Sequence, residues 1–178
     1  MRDQADAQHA LELALSRAAD LHLRQIGAIA ARGHGAAFTG DSCTGWCGHL
    51  TGTDYAIEGN MLVGAETLAA MSRAWHESYD MALAERLLLA LKAGDSAGGD
   101  RRGKQSAALK VMGTEVYALV DLRVDEHLEP VAELRRIFDV TKSQLIPFVQ
   151  GMPRLHGQPL ALPESVMRML LKCPADRP

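Results

Sequence analysis

The sequence predicts an α+β fold in which antiparallel sheets lie between helix layers, an α/β/β/α sandwich. Three observations predict it. Helical and strand-like periodicities follow one another as α, three strands, two helices, two strands, α. Turn residues join the strands as hairpins, which makes the pairs antiparallel. Two strand segments, Ile26 to Ala31 and Val116 to Val120, are apolar without alternation and so call for cover on both faces. A two-layer α+β arrangement is the competitor.

The elements follow in order. Leu11, Ala14, Leu15 and Ala18 share one helical face, and Leu21 continues it. Ile26 to Ala31 is the first strand, and Arg32-Gly33-His34-Gly35 is its hairpin turn. Ala36 to Thr39 and Asp54 to Glu58 are the next strands. Eight glycines between Gly33 and Gly64 mark tight turns around them. Leu68, Met71 and Trp75 define one helix. Ala84, Leu87, Leu88 and Leu91 define the next, with Asp80 as N-cap and Gly94 as C-cap. Ser106 to Met112 and Glu115 to Val124 form a hairpin across Gly113-Thr114. Pro130 opens a last long helix with Val131, Leu134 and Phe138 on one side. The expected core holds Ile26, Ile29, Leu87, Leu88, Val116, Ala118 and Leu134. The domain spans residues 1–150. Residues 151–178 form a proline-containing tail with one short helix, Glu164 to Lys172.

Composition narrows the function. The 178 residues carry a formal net charge of −3, which argues against a general nucleic-acid or membrane-surface binder. Only eight residues are aromatic, and they do not interleave with basic ones as in an RNA-binding face. No apolar run reaches the roughly 20 residues of a membrane span. Three cysteines are too few and too odd for a disulfide framework, so a reducing cytoplasm is the expected compartment.

Four clusters could carry chemistry. Gly98-Gly99-Asp100-Arg101-Arg102-Gly103-Lys104-Gln105-Ser106 nearly spells a phosphate loop. It fails, because Gln105 stands where the metal-binding hydroxyl belongs and the loop leads from a helix into a strand. Its cations and glycine N–H groups remain a candidate anion site, against the plain reading of a solvated turn. Cys43, Cys47 and His49 form C-x3-C-x-H, a weak zinc alternative to small residues in a glycine-rich turn. Asp121, Arg123 and Asp125 alternate on a strand, as either a ligand site or a structural ion-pair network. Arg24 begins a buried strand and needs a partner, for which one of these aspartates is the expectation. Asn60 follows a strand, as an oxyanion donor or a turn residue.

The same segments carry a resemblance. Arg24-Gln25-Ile26-Gly27, Thr39-Gly40-Asp41-Ser42-Cys43, Gly59-Asn60-Met61-Leu62, the run from Gly98 through Ser106 to Leu109, Val120 to Asp125 and Pro130 to Leu134 look like the ordered motifs of an uncharacterised prokaryotic family. That family is domain of unknown function 1028, regarded as Ntn-hydrolase-like, and the likeness covers residues 10–150. It implies an Ntn-type αββα sandwich and a hydrolase of amide bonds with no substrate assigned. It implies no cofactor. The family's first strands, which in Ntn hydrolases carry the N-terminal nucleophile, have no counterpart here, so the expectation is an N-terminally truncated domain. An exposed sheet edge then predicts a homo-oligomer, dimer or larger.

Met1 has neither hydroxyl nor thiol, so the chain as written lacks that nucleophile. Thr53, which leads into a strand after Gly52, is the internal candidate. The ligand-binding candidates are Arg24, Asn60, Gly99, Asp100, Arg101, Gln105, Ser106, Asp121, Arg123 and Asp125. The alternative to a hydrolase is a noncatalytic protein that binds a small anionic ligand, or an oligomeric scaffold.

Overall fold

The computed structural model describes residues 6–31, 33–158 and 161–173. The fold is mixed α+β, with three two-stranded antiparallel sheets and five α-helices among these residues. Two compact units divide the chain: residues 1–81 with 89–104, and residues 82–88 with 105–178.

The first unit begins with α1 (Ala7–Leu15), whose N-terminus is capped by Asp6 accepting from the Gln8 N–H at 3.3 Å. A short 3₁₀ turn (Leu21–Leu23) follows, so Leu21 does not extend the helical stripe. β1 (Gln25–Ala28) pairs with β2 (Ala36–Thr39), and β3 (Trp46–Gly52) pairs with β4 (Tyr55–Leu62). Ala7, Leu11 and Ala36 form a buried cluster with Leu15, Ile26, Ala28, Ala30 and Phe38 against it, so α1 lies on the β1–β2 hairpin. α2 (Ala65–Glu77) lies on β3 and β4, burying Leu68 and Trp75. The two hairpins also touch one another.

Several expectations are corrected here. The strand β3 is missing from the sequence reading, because Gly48 and Gly52 interrupt its apolar pattern. β4 runs on to Leu62, so Asn60 lies within a strand and not in a turn after it. Asp54 is a turn residue at φ 62°, a conformation aspartate tolerates, and the strand starts at Tyr55. Ile29 falls outside β1 and is 58% exposed, because the strand stops at Ala28.

α3 (Leu83–Ser96) starts three residues after Asp80, which sits in the preceding turn and not at the position before the helix. Gly94 is not the C-cap either. It lies inside the helix, where a Cβ would stand 2.8 Å from Met71 Cγ, so its role is close packing against α2. The helix ends at Gly98 and Gly99, whose φ values of 113° and 55° suit glycine.

In the second unit β5 (Ala107–Met112) pairs with β6 (Ala118–Val124). Leu109, Val111, Val120, Leu122 and Val124 are buried, while Ala108, Lys110, Asp121 and Arg123 are exposed. This is a one-faced sheet, so the expectation of cover on both faces fails for it. Val116 lies in the connecting loop, 85% exposed. The covering element is α4 (Pro130–Gln150), which opens at Pro130 as expected and buries Val131, Leu134 and Phe138. Leu88, at the start of α3, is fully buried, and Leu87 is half-buried. α5 (Glu164–Leu170) packs on α4.

Candidate functional site

In the first unit, backbone hydrogen bonds draw the 98–104 loop onto the end of β4. Val63 N donates to Gly99 O at 3.1 Å, and Arg101 N donates to Met61 O at 2.9 Å. Met61 adopts φ 58°, left-handed for a residue other than glycine, and so marks local strain. The loop therefore meets the backbone that adjoins Asn60.

The loop's cations differ in their partners. Asp100 accepts from Arg102 N at 2.8 Å, Arg102 Nε at 3.0 Å and Arg102 Nη2 at 2.6 Å. These bonds hold the Asp100 carboxyl down at about 2. Lys104 pairs with Asp95 at 3.0 Å. Among the described residues, Arg101 has no side-chain partner. Its side chain passes over Gly45, with Cδ 3.4 Å from where a Cβ would stand. The Asn60 carboxamide oxygen is buried and accepts no hydrogen bond. An unpaired buried acceptor costs about 1–3 kcal/mol, so its position calls for a reason.

The other candidates sit elsewhere. Arg24 is exposed, and its Nε donates to Ala19 O at 3.3 Å. In the second unit Asp121 pairs with Lys110 at 3.3 Å and Asp125 with Arg123 at 2.9 Å. Asp121 and Arg123 lie on the exposed face of β6 and Asp125 just past its end. Gln105 and Ser106 also belong to that unit, where Gln105 donates to the Glu126 carboxylate. Thr53 is exposed in the β3–β4 turn, opposite His34 across an isolated bridge, and among the described residues its hydroxyl makes no hydrogen bond. Cys43 Sγ donates to Arg24 O at 3.6 Å and Cys47 Sγ to Cys43 O at 3.7 Å. No group of three or more His, Cys, Asp or Glu side chains among the described residues could hold a metal ion.

A polar cluster that sequence reasoning missed lies between the two hairpins of the first unit. Gln25 Nε2 reaches Thr39 Oγ1 at 3.1 Å and the carbonyl oxygens of Gly48 and Gly59 at 3.0 Å each. Thr39 Oγ1 lies 2.9 Å from His49 Nδ1. Glu58 is the cross-strand partner of His49. Burial pushes the Glu58 carboxyl up, and the His49 charge opposes this more weakly. Only His49 of this set had been singled out, as a zinc ligand. The missing signal was β3, without which His49 and Glu58 are not neighbours.

Residues 1–134 match the family of unknown function DUF1028, and the chain belongs to that family. Among solved structures it is similar to protein SPO2555 from Silicibacter pomeroyi, of the same family, at 29% identity and a TM-score of 0.75, with 86% of this chain and 69% of that one covered. No curated protein matches the chain. No helix among the described residues is long and apolar enough to cross a membrane.

Proposed function

We propose that the corner formed by Arg101 and Asn60 binds a small anionic ligand bearing an N–H or O–H donor. The observation that carries this is selective. Arg102 and Lys104 are neutralised by Asp100 and Asp95, whereas the exposed Arg101 guanidinium keeps its donors unspent beside the strained Met61. A planar fork of donors suits a carboxylate or phosphate. Asn60, on the adjoining backbone, supplies an amide of both polarities. The test is thermal unfolding with inorganic phosphate and with N-acetylglycine. Ligand that binds only the folded state raises the midpoint. The expected result is a rise that disappears in Arg101→Ala. No rise with either compound, or a rise that Arg101→Ala leaves intact, removes the proposal.

A second reading is an Ntn-hydrolase-like layered unit acting on acyl bonds. The placement of α1 on one hairpin and α2 on the other, with the hairpins in contact, supports that layering. Turnover of p-nitrophenyl acetate by the full chain tests it.

A further inference from the structure

We propose that Thr39 is the nucleophile of an acyl-transfer site and His49 its general base, acting on small esters or amides. The inference rests on the hydrolase reading of the first unit, and it names an internal hydroxyl in place of an N-terminal one.

The hydrogen bonds hold the Thr39 hydroxyl against its base. Gly48 and Gly59 offer Gln25 two carbonyl oxygens, which only accept, each 3.0 Å from Nε2. The end of the Gln25 carboxamide facing them is therefore its NH₂ group. Thr39 Oγ1 is 3.1 Å from the same nitrogen, whose two N–H groups are shared among the three acceptors. The hydroxyl has one proton, and its remaining near neighbour is His49 Nδ1 at 2.9 Å. With the His49 proton on Nε2, Thr39 donates to Nδ1, the arrangement a nucleophile and its base require. His49 is solvent-exposed beside the half-buried Thr39, and Gln25 is half-buried and held by main chain.

Glu58 completes the set as a positioning residue. It stands opposite His49 across β3 and β4, where its carboxylate favours the imidazolium that forms when the proton arrives. Gly27 provides its space: a Cβ there would stand 1.8 Å from Glu58 Oε1. In the reaction Thr39 Oγ attacks the acyl carbon while its proton passes to His49 Nδ1. The tetrahedral adduct collapses, the bond to the leaving alcohol or amine breaks, and His49 returns the proton to that leaving group. Water then attacks the Thr39 ester by the same proton path, releasing the carboxylic acid and restoring the hydroxyl.

The test is p-nitrophenyl acetate turnover by the full chain, with peptide mass mapping of the acetylated residue. The expected result is acetyl on Thr39, with a loss of about 10²-fold or more in Thr39→Ala and His49→Ala. Thr39→Ser keeps activity, and added imidazole restores part of it in His49→Ala. Glu58→Gln lowers kcat and leaves KM unchanged. Matching far-ultraviolet circular dichroism identifies variants that have kept the fold. Turnover that survives Thr39→Ala, or acetyl mapped elsewhere, overturns the inference and leaves the hydrolase reading standing. Absence of both acetylation and turnover in the unmodified chain removes both.

Discussion

Two hairpins of this protein have the same connectivity and opposite character. In β5–β6 apolar and polar residues alternate, one face is buried by α4, and the other face pairs Lys110 with Asp121 and Arg123 with Asp125. In β3–β4 Ile57 alone is fully buried, three glycines occupy strand positions, and the polar side chains of His49, Glu58 and Asn60 lie along it. The first hairpin is built for stability, with its exposed charges in ion pairs. The second gives up side-chain packing, and what it gains is a place where a hydroxyl, an imidazole and a carboxylate converge. Glycine-rich strands that look poor by propensity therefore mark where to search for chemistry.

The sharpest break in the comparison comes from the core of the stability hairpin. Leu134 is 0% exposed on the face of α4 that covers β5–β6. Leu134→Ala is expected to cost about 2–5 kcal/mol, from lost transfer energy and the cavity left behind. Urea unfolding measures it. A cost under 1 kcal/mol would mean that α4 does not seal that face.

The next effect also belongs to the second unit. Glu85 accepts from Arg135 and lies 3.5 Å from Lys142, with about three-quarters of the carboxylate and guanidinium side chains covered. The bond from Arg135 holds the Glu85 carboxyl below its ordinary range, more than burial raises it. A lowered folded value means stability that is full above the ordinary carboxylate range and lost as pH falls through the lowered value. Glu85→Gln should therefore cost about 1.5–3 kcal/mol at neutral pH, the scale of a charge-assisted hydrogen bond. The gap between the variant and the parent should close in acid. A gap that stays constant from pH 7 to pH 3 would show the ion pair to be inert.

These contrasts also explain what could be read without coordinates. Pro130 and the Val131/Leu134/Phe138 stripe were legible because helix start and period agree. So was the one-sided placing of Asp121, Arg123 and Asp125. Leu88 and Leu134 are core as the sequence predicts, whereas Ile29 and Val116, predicted with them, are exposed, because apolar character alone does not say where a strand ends. Thr39 was passed over for Thr53, since a hydroxyl is made reactive by the base beside it, and that base arrives on a strand hidden by its own glycines. No periodicity in β3 announces that His49 will face Thr39.

Gly27 and Glu58 test the polar hairpin by crowding it. A methyl at Gly27 meets the Glu58 carboxylate at 1.8 Å, at the far end of a side chain that can rotate. Gly27→Ala is expected to cost about 1 kcal/mol, at the low end for overpacking, because the swing of Glu58 relieves most of the clash. Pairing it with Glu58→Ala should abolish the penalty in a double-mutant cycle. A penalty that persists in the double variant would mean that the backbone, and not Glu58, is what Gly27 accommodates.

The smallest expected effect has the opposite sign and divides the two hairpins most cleanly. Burial raises the Glu58 carboxyl above its ordinary value, with His49 only partly opposing it. A raised folded value means that the carboxyl's contribution is fully present below the ordinary carboxylate pKa of about 4.3, and is lost as pH rises through the folded value. At neutral pH the ionised Glu58 is thus a cost, unlike Glu85. Glu58→Gln removes the charge and keeps the shape, so it should raise stability at pH 7 by less than about 1 kcal/mol, since the group is only half-buried. Below pH 4 the two proteins should converge. Thermal unfolding across that pH range measures both arms. A Gln variant less stable than the parent at pH 7 would mean that His49 stabilises the carboxylate more than burial penalises it, and Glu58 would then hold this hairpin together as Glu85 does in the second unit.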